Sequence, residues 1–207
     1  MKTKLIYVIA FVLFSQMAEA QVFGVRGGVD FANMAISENG TGISSKILTG
    51  FHAGPVIEFK MQHSFFFNTG LLYASKGYLL DAGKLSDAAN IMNGTAKFGY
   101  FEVPLNFAYK FPVNEKSKFF VQAGPYAGYC LTAKATTQGQ TLNLFRYYDI
   151  QRFDYGVGMG AGMEFGSLVA SLNYELGLAN LFKYPTVDAS FKNRVIQISL
   201  AYMFGRN

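Results

Sequence analysis

The chain of 207 residues has one cysteine, Cys130, so no disulfide can form within it. Charge is scarce. Only 15% of residues are charged, against about 25% in an average globular domain. After the N-terminus no stretch offers the ~20 continuous apolar residues of a membrane-spanning helix. No dense Lys/Arg run accompanies the formal charge of +5, so nucleic-acid binding has no electrostatic footprint. What is present is 51% hydrophobic residues, spread thinly, with 22 Gly and 13 Tyr. That bias favours strands and turns.

The first twenty residues are different. Lys2 and Lys4 precede an apolar run from Leu5 to Phe14. Ala18-Glu19-Ala20 then forms an A-x-A pattern before Gln21. Basic start, apolar run and small-residue site in that order predict a secretory signal peptide over residues 1–20, cleaved after Ala20. Position 21 is Gln rather than Cys, so no lipid attachment is expected there. A secreted chain without a disulfide needs another scaffold, such as a large hydrogen-bonded sheet.

Residues 21–207 repeat one pattern eight times. In YFEVPLNFAYKF, Phe101, Val103, Leu105, Phe107, Tyr109 and Phe111 share one face. Tyr100, Glu102, Pro104, Asn106, Ala108 and Lys110 share the other. Period-2 alternation predicts a strand with two different surroundings. FGVRGGVDF, GFHAGPVIEFKM, FFFNTGLLYASK, FFVQAGPYAGYCLT, DYGVGMGAGMEF, SLVASLNYELGL and RVIQISLAYMF repeat it, with Phe66 and Leu72 as blemishes. Eight strands of about ten residues have the length that a tilted strand needs to cross a bilayer.

The connections alternate in length. Short links fall at Gln62-His63-Ser64, at Pro112 to Ser117 and at Gly166. Long links run from about Ala32 to Thr49, Gly77 to Ala96, Ala133 to Tyr148 and Ala179 to Lys192. All long loops therefore lie at one end, as in an outer-membrane barrel, and both termini lie on the short-turn side. On the apolar face, aromatics collect near both strand ends, such as Phe101 against Tyr109 and Phe51 against Phe59. Aliphatics such as Leu105, Val121 and Ile198 fill much of the middle. Two aromatic girdles around an aliphatic band match the two interfaces of a bilayer.

The expected fold is therefore all-β: an eight-stranded antiparallel up-and-down transmembrane β-barrel with an apolar exterior and a polar lumen. Such a barrel encloses a space just wide enough for side chains. Arg26, Asp30, Glu58, Lys60, Lys76, Glu102, Lys110, Glu164 and Glu175 would share that lumen as a polar network. Their charges must pair, because an unpaired buried charge costs several kcal/mol. Glu102 needs a basic partner such as Arg26 or Lys76. Arg194 has the parity of the apolar face and belongs at the outer rim. Gly156, Gly158, Gly160 and Gly162 point inward and leave room for long side chains, which favours a plugged barrel over an open pore.

Chemical motifs are thin. GVGMGAG formally matches a dinucleotide fingerprint, but its glycines continue with period 2 into MEF instead of opening a helix. His52 and His63 lie at opposite strand ends, some 35 Å apart at ~3.3 Å per residue, so no metal site is expected. Neither is a cofactor. A rim nucleophile would have to reach His52. Ser37, Ser44 and Ser45 are nearest in sequence, and Asp81 and Asp87 lie in the second long loop, but no triad emerges. That second loop, with Leu79, Leu80, Leu85, Ala88, Ala89 and Met92, allows a short amphipathic helix. It would serve as a contact surface or as a lid.

GVRGGVDFANM, GFHAGPVIEF, TGLLYASKGY, YFEVPLNFAYKF and VQAGPYAGY, in that order, resemble the outer-membrane β-barrel domain of Bacteroidetes proteins, the PorT-like family. The resemblance implies an outer-membrane barrel inserted by the general barrel assembly machinery, with no catalytic residues to carry over. The chain departs from the usual terminal aromatic, because Gly205-Arg206-Asn207 follows Phe204. The expected role is structural, adhesive or partner-binding through the outer loops, as a non-enzymatic monomer in outer-membrane lipid. The alternatives are a narrow porin for small solutes and a soluble lipocalin-like ligand binder with its apolar face inward.

Overall fold

The computed structural model describes residues 21–38, 41–80, 94–137, 139–147, 150–181 and 189–206. The proposed signal peptide and the helix expected in the second long loop lie outside the described residues. Eleven strands form one sheet: β1 Gln21–Glu38, β2 Thr41–Ser44, β3 Lys46–Gln62, β4 Phe65–Gly70, β5 Leu72–Leu80, β6 Gly94–Pro112, β7 Ser117–Thr137, β8 Gln140–Asn143, β9 Phe153–Phe165, β10 Leu168–Gly177 and β11 Ala189–Met203. Among the described residues no helix is long and apolar enough to cross a membrane.

The pairings close on themselves. β1 pairs with β3, β3 with β4 and β5, and these with β6. β6 continues to β7, β9, β10 and β11, and β11 returns to β1, every step antiparallel. β4 and β5 occupy one position in this ring, which makes it a ring of eight bonded strands. Their break has a local cause. Leu71 lies opposite Pro55, which has no N–H to return to it, and only the Leu71 N–H to Pro55 carbonyl bond remains, at 3.0 Å. A ring has no free edge, which removes the aggregation hazard of unpaired strand edges.

The alternation is inverted relative to a soluble barrel. On β6, Phe101, Val103, Leu105, Phe107, Tyr109 and Phe111 are all exposed, whereas Glu102, Ala108 and Lys110 are 1–3% exposed. The apolar side chains point out of the ring and the charges point in. This geometry overturns the lipocalin-like alternative, which needs the apolar face inward. The two blemishes also resolve. Leu72 turns inward and packs with Val56, Ala201 and Met203. Phe66 lies beneath the Lys110 ammonium, 4.0 Å from its ring centroid.

The strands outrun the expected ten residues. β7 has 21 and β6 has 19. Much of the first and third long links is strand: β1 continues to Glu38, β2 folds back on it, and β8 folds back on the end of β7. Backbone pairing continues past the region where lipid demands alternation, so the pattern fades before the ladder ends. The short turns are tight. His63-Ser64 joins β3 to β4 with His63 at φ 45, and Gly166-Ser167 joins β9 to β10 with Gly166 at φ 57, both left-handed as hairpin turns prefer.

Candidate functional site

The inside of the ring is layered. Towards the long-loop end lies an apolar cluster of Met34, Tyr78, Phe98, Tyr100, Leu144 and Leu181 with smaller neighbours. Below it the charged residues divide into two ion clusters. In the upper one, Lys76 is fully buried, hydrogen-bonds Glu102 and reaches Glu175 at 2.9 Å. Its ammonium also stands 4.5 Å from the centroid of the Tyr126 ring. Asp154 lines the same space and accepts from Asn193 Nδ2 at 2.9 Å. One ammonium, with its three donors, thus serves two carboxylates and an aromatic face.

The lower cluster sits near the short turns. Lys110 reaches Glu58 at 2.6 Å and also pairs with Glu164. Arg206 pairs with Glu58 and stands 3.1 Å from Glu164. The C-terminal residues that depart from the usual terminal aromatic therefore have a place. Gly205, at φ 72, turns the chain back after Phe204, and Arg206 enters the barrel mouth. Ser167 Oγ holds the Arg206 carbonyl.

An amide chain lies between the two clusters. Asn68 Nδ2 donates to Gln122 Oε1 at 3.3 Å, Gln122 Nε2 to Asn173 Oδ1 at 2.6 Å, and Asn173 Nδ2 to Ser171 Oγ at 3.2 Å. Glycines on β9 make room for this filling. A Cβ on Gly156 would lie 2.6 Å from the Tyr126 ring, and one on Gly162 would lie 2.5 Å from the Phe120 ring. Among the described residues, cavities of about 10 and 20 Å³ lie between the clusters, each bordered by Arg26. Each has room for about one water molecule.

Most of the residues expected in the lumen network meet there. Glu58, Lys76, Glu102, Lys110, Glu164 and Glu175 are buried in the two ion clusters, and Glu102 takes Lys76 as its partner. Arg26 is half-buried and borders both cavities, one walled by Glu102 and Glu175 and the other by Glu58. Asp30 stands apart from both clusters and accepts from His52 Nδ1 at 2.6 Å. Lys60 does not join. It is exposed at the open mouth, where a register shift follows it between Lys60 and Gln62. The mouth is a cavity of about 270 Å³ that Lys60 lines with Lys118, Lys110 and Arg206. Arg194 is half-buried on the outer face beside Ile196, in line with its parity.

Asp154, Asn193 and Ser199 are further buried lumen residues outside the expected network. Ser199 Oγ lies 2.9 Å from His52 Nε2, so Ser199, His52 and Asp30 stand in the order of nucleophile, base and orienting acid. All three are at most 2% exposed, and Ser199 borders neither lumen cavity. In this packing the trio satisfies a buried imidazole on both nitrogens. Ser45, one of the serines nearest His52 in sequence, accepts from the Met34 N–H at 2.7 Å. Among the described residues no group of His, Cys, Asp and Glu could hold a metal ion.

Residues 14–183 match the family model of the outer membrane protein beta-barrel domain. Among solved structures the chain is similar to neisserial surface protein A, at 14% identity and TM-score 0.49, covering 90% of this chain and all of that one. It is also similar to Ail, the attachment invasion locus protein of Yersinia pestis, at 17% identity and TM-score 0.44, covering 89% and 99%. A major outer membrane protein from Thermus thermophilus aligns at 15% identity and TM-score 0.46, over 90% and 100%. No curated protein matches the sequence.

Proposed function

The chain belongs to the outer membrane protein beta-barrel domain family, and on that premise we propose that it is a closed, eight-stranded barrel of the outer membrane with a plugged lumen. Membership implies the bacterial outer membrane. The observation that carries the plug is the filled lumen. Two ion clusters and an amide chain occupy the ring, leaving cavities of about 10 and 20 Å³. A hydrated ion needs a continuous wet path, and isolated water-sized voids do not supply one. Function then falls to the exterior and the long-loop end, in a structural, adhesive or partner-binding role rather than a catalytic one. The ordered resemblance to PorT-like barrels supports that branch of the family, with periplasmic termini and insertion by the general assembly machinery. The barrel is a monomer whose principal partner is lipid, and the long loops are where a protein partner would bind.

Planar-bilayer recording of the refolded chain tests the plug. The expected result is an intact bilayer with no steady current. Reproducible open-channel current would replace this reading with the narrow porin.

A further inference from the structure

The outer surface of β6 and β7 carries a pair of lysines without an opposite charge beside them among the described residues. Lys97 and Lys134 are directly opposite each other in the ladder. Both are exposed, while Phe98 and Ala133 beside them are buried, so both ammoniums lie on the outer face. Like charges directly opposite on a sheet destabilise it. Their remaining ladder neighbours are Gly77 on β5 and Asn143 on β8, which neutralise nothing. Among the described residues neither lysine has an ion pair.

The surroundings suit an oxyanion. One rung further out, Thr95 faces Thr136, and one rung inward, Gly99 faces Thr132. A Cβ on Gly99 would stand 2.6 Å from the Tyr73 hydroxyl and 2.7 Å from Thr132 Oγ1. With no side chain at Gly99, the two hydroxyls close into the space its Cβ would take, one rung below two cations. Below these hydroxyls comes the rung Phe101–Tyr129, both exposed on the lipid-facing surface.

We propose that Lys97 and Lys134, with the hydroxyls of Tyr73 and Thr132, bind the phosphate of an outer-leaflet lipid headgroup. The site rests on the membrane-spanning reading above. Depth argues for lipid as the occupant. Four residues separate Lys97 from Phe101, roughly 13 Å along the strand and about 10 Å along the bilayer normal at a tilt near 40°. The aromatic girdle marks the edge of the hydrocarbon, and the headgroup layer extends about 5–8 Å beyond it on each side. Lysine stems reach back over that short difference. The cations thus meet the phosphate layer on a surface continuous with the lipid-facing wall. A phosphate between them also removes their mutual repulsion.

Native mass spectrometry of the refolded barrel tests the site, with a diphosphoryl glycolipid as probe and its dephosphorylated form and inorganic phosphate as separate arms. The wild type should retain the diphosphoryl glycolipid, and K97Q/K134Q should retain it roughly tenfold or more weakly. Neither should retain the dephosphorylated lipid, and K118Q at the opposite mouth should match the wild type. Equal retention by K97Q/K134Q overturns the site, as does equally tight binding of inorganic phosphate alone. Liposome insertion of both chains is measured alongside. A chain that does not insert overturns the membrane reading itself, whereas an inserted double variant with undiminished retention overturns only the site.

Discussion

Replacing Lys76 with Met removes the cation on which the upper cluster is built. Lys76 is fully buried, and its ammonium meets Glu102, Glu175 and the Tyr126 ring. Met has similar volume and fills the same space, so the change is electrostatic. It strands two carboxylates in a lumen where each is less than a tenth exposed. Breaking a buried pair from one side costs about 3–5 kcal/mol, because the remaining charge is left without compensation. Neutralising the carboxylates as well should restore most of that loss, because removing a whole buried ion cluster is often close to neutral. The assay is urea unfolding of K76M and of K76M/E102Q/E175Q in lipid vesicles, followed by tyrosine fluorescence and by the gel shift between folded and unfolded barrel. The account requires the single variant to lose about 3–5 kcal/mol and the triple variant to lie well above it. A single variant within about 0.5 kcal/mol of wild type would show that the cluster is solvated and the lumen wet. A triple variant as unstable as the single would show that packing rather than charge pairing holds this region.

The same filling sets the response of other positions. Gly162→Val should destabilise by roughly 1–3 kcal/mol, because its side chain meets the Phe120 ring and the Ala170 carbonyl, and the same unfolding assay reads it. Arg206→Ala should lose about 1.5–3 kcal/mol through its charged hydrogen bond to Glu58, and Gly205→Val should lose a comparable amount by straining the left-handed turn that delivers Arg206. If either change leaves the unfolding midpoint unmoved, the C-terminal hook does not hold the lower cluster.

Some of this molecule is legible in one dimension and some is not. The alternation of β6 carries directly into the fold, because period 2 and the two faces of a strand are the same fact. The direction of the faces needed companions: alternating loop lengths and sorted aromatics point to lipid outside, and the exposure of Phe101, Leu105 and Phe107 agrees. Parity also brings Glu58, Glu102 and Lys110 inside. It cannot say that Lys110 meets Glu58, 52 residues away, because that depends on how neighbouring strands are staggered around the ring. Lys60 shows a second limit. Its parity is inward, but it sits at an open mouth beside a register shift, and only the closed ring reveals where the mouth begins. The strand extensions were illegible for another reason. Beyond the lipid the ladder of β7 continues to Thr137 with no demand for an apolar face, so composition there looks like loop. Arg206 is a local case, because one left-handed glycine after Phe204 converts a tail residue into a lumen residue.

The central claim is that the apolar face of these strands meets lipid, and Leu105 tests it most directly. Leu105 is exposed on the outer face of β6, midway between Phe101 and Tyr109. Unfolding of Leu105→Arg in lipid vesicles should show a loss of about 2–4 kcal/mol, whereas Phe111→Arg, near the interface, should show about 0–1 kcal/mol from the charge itself. Stability of Leu105→Arg equal to wild type would put this face in water and contradict the account.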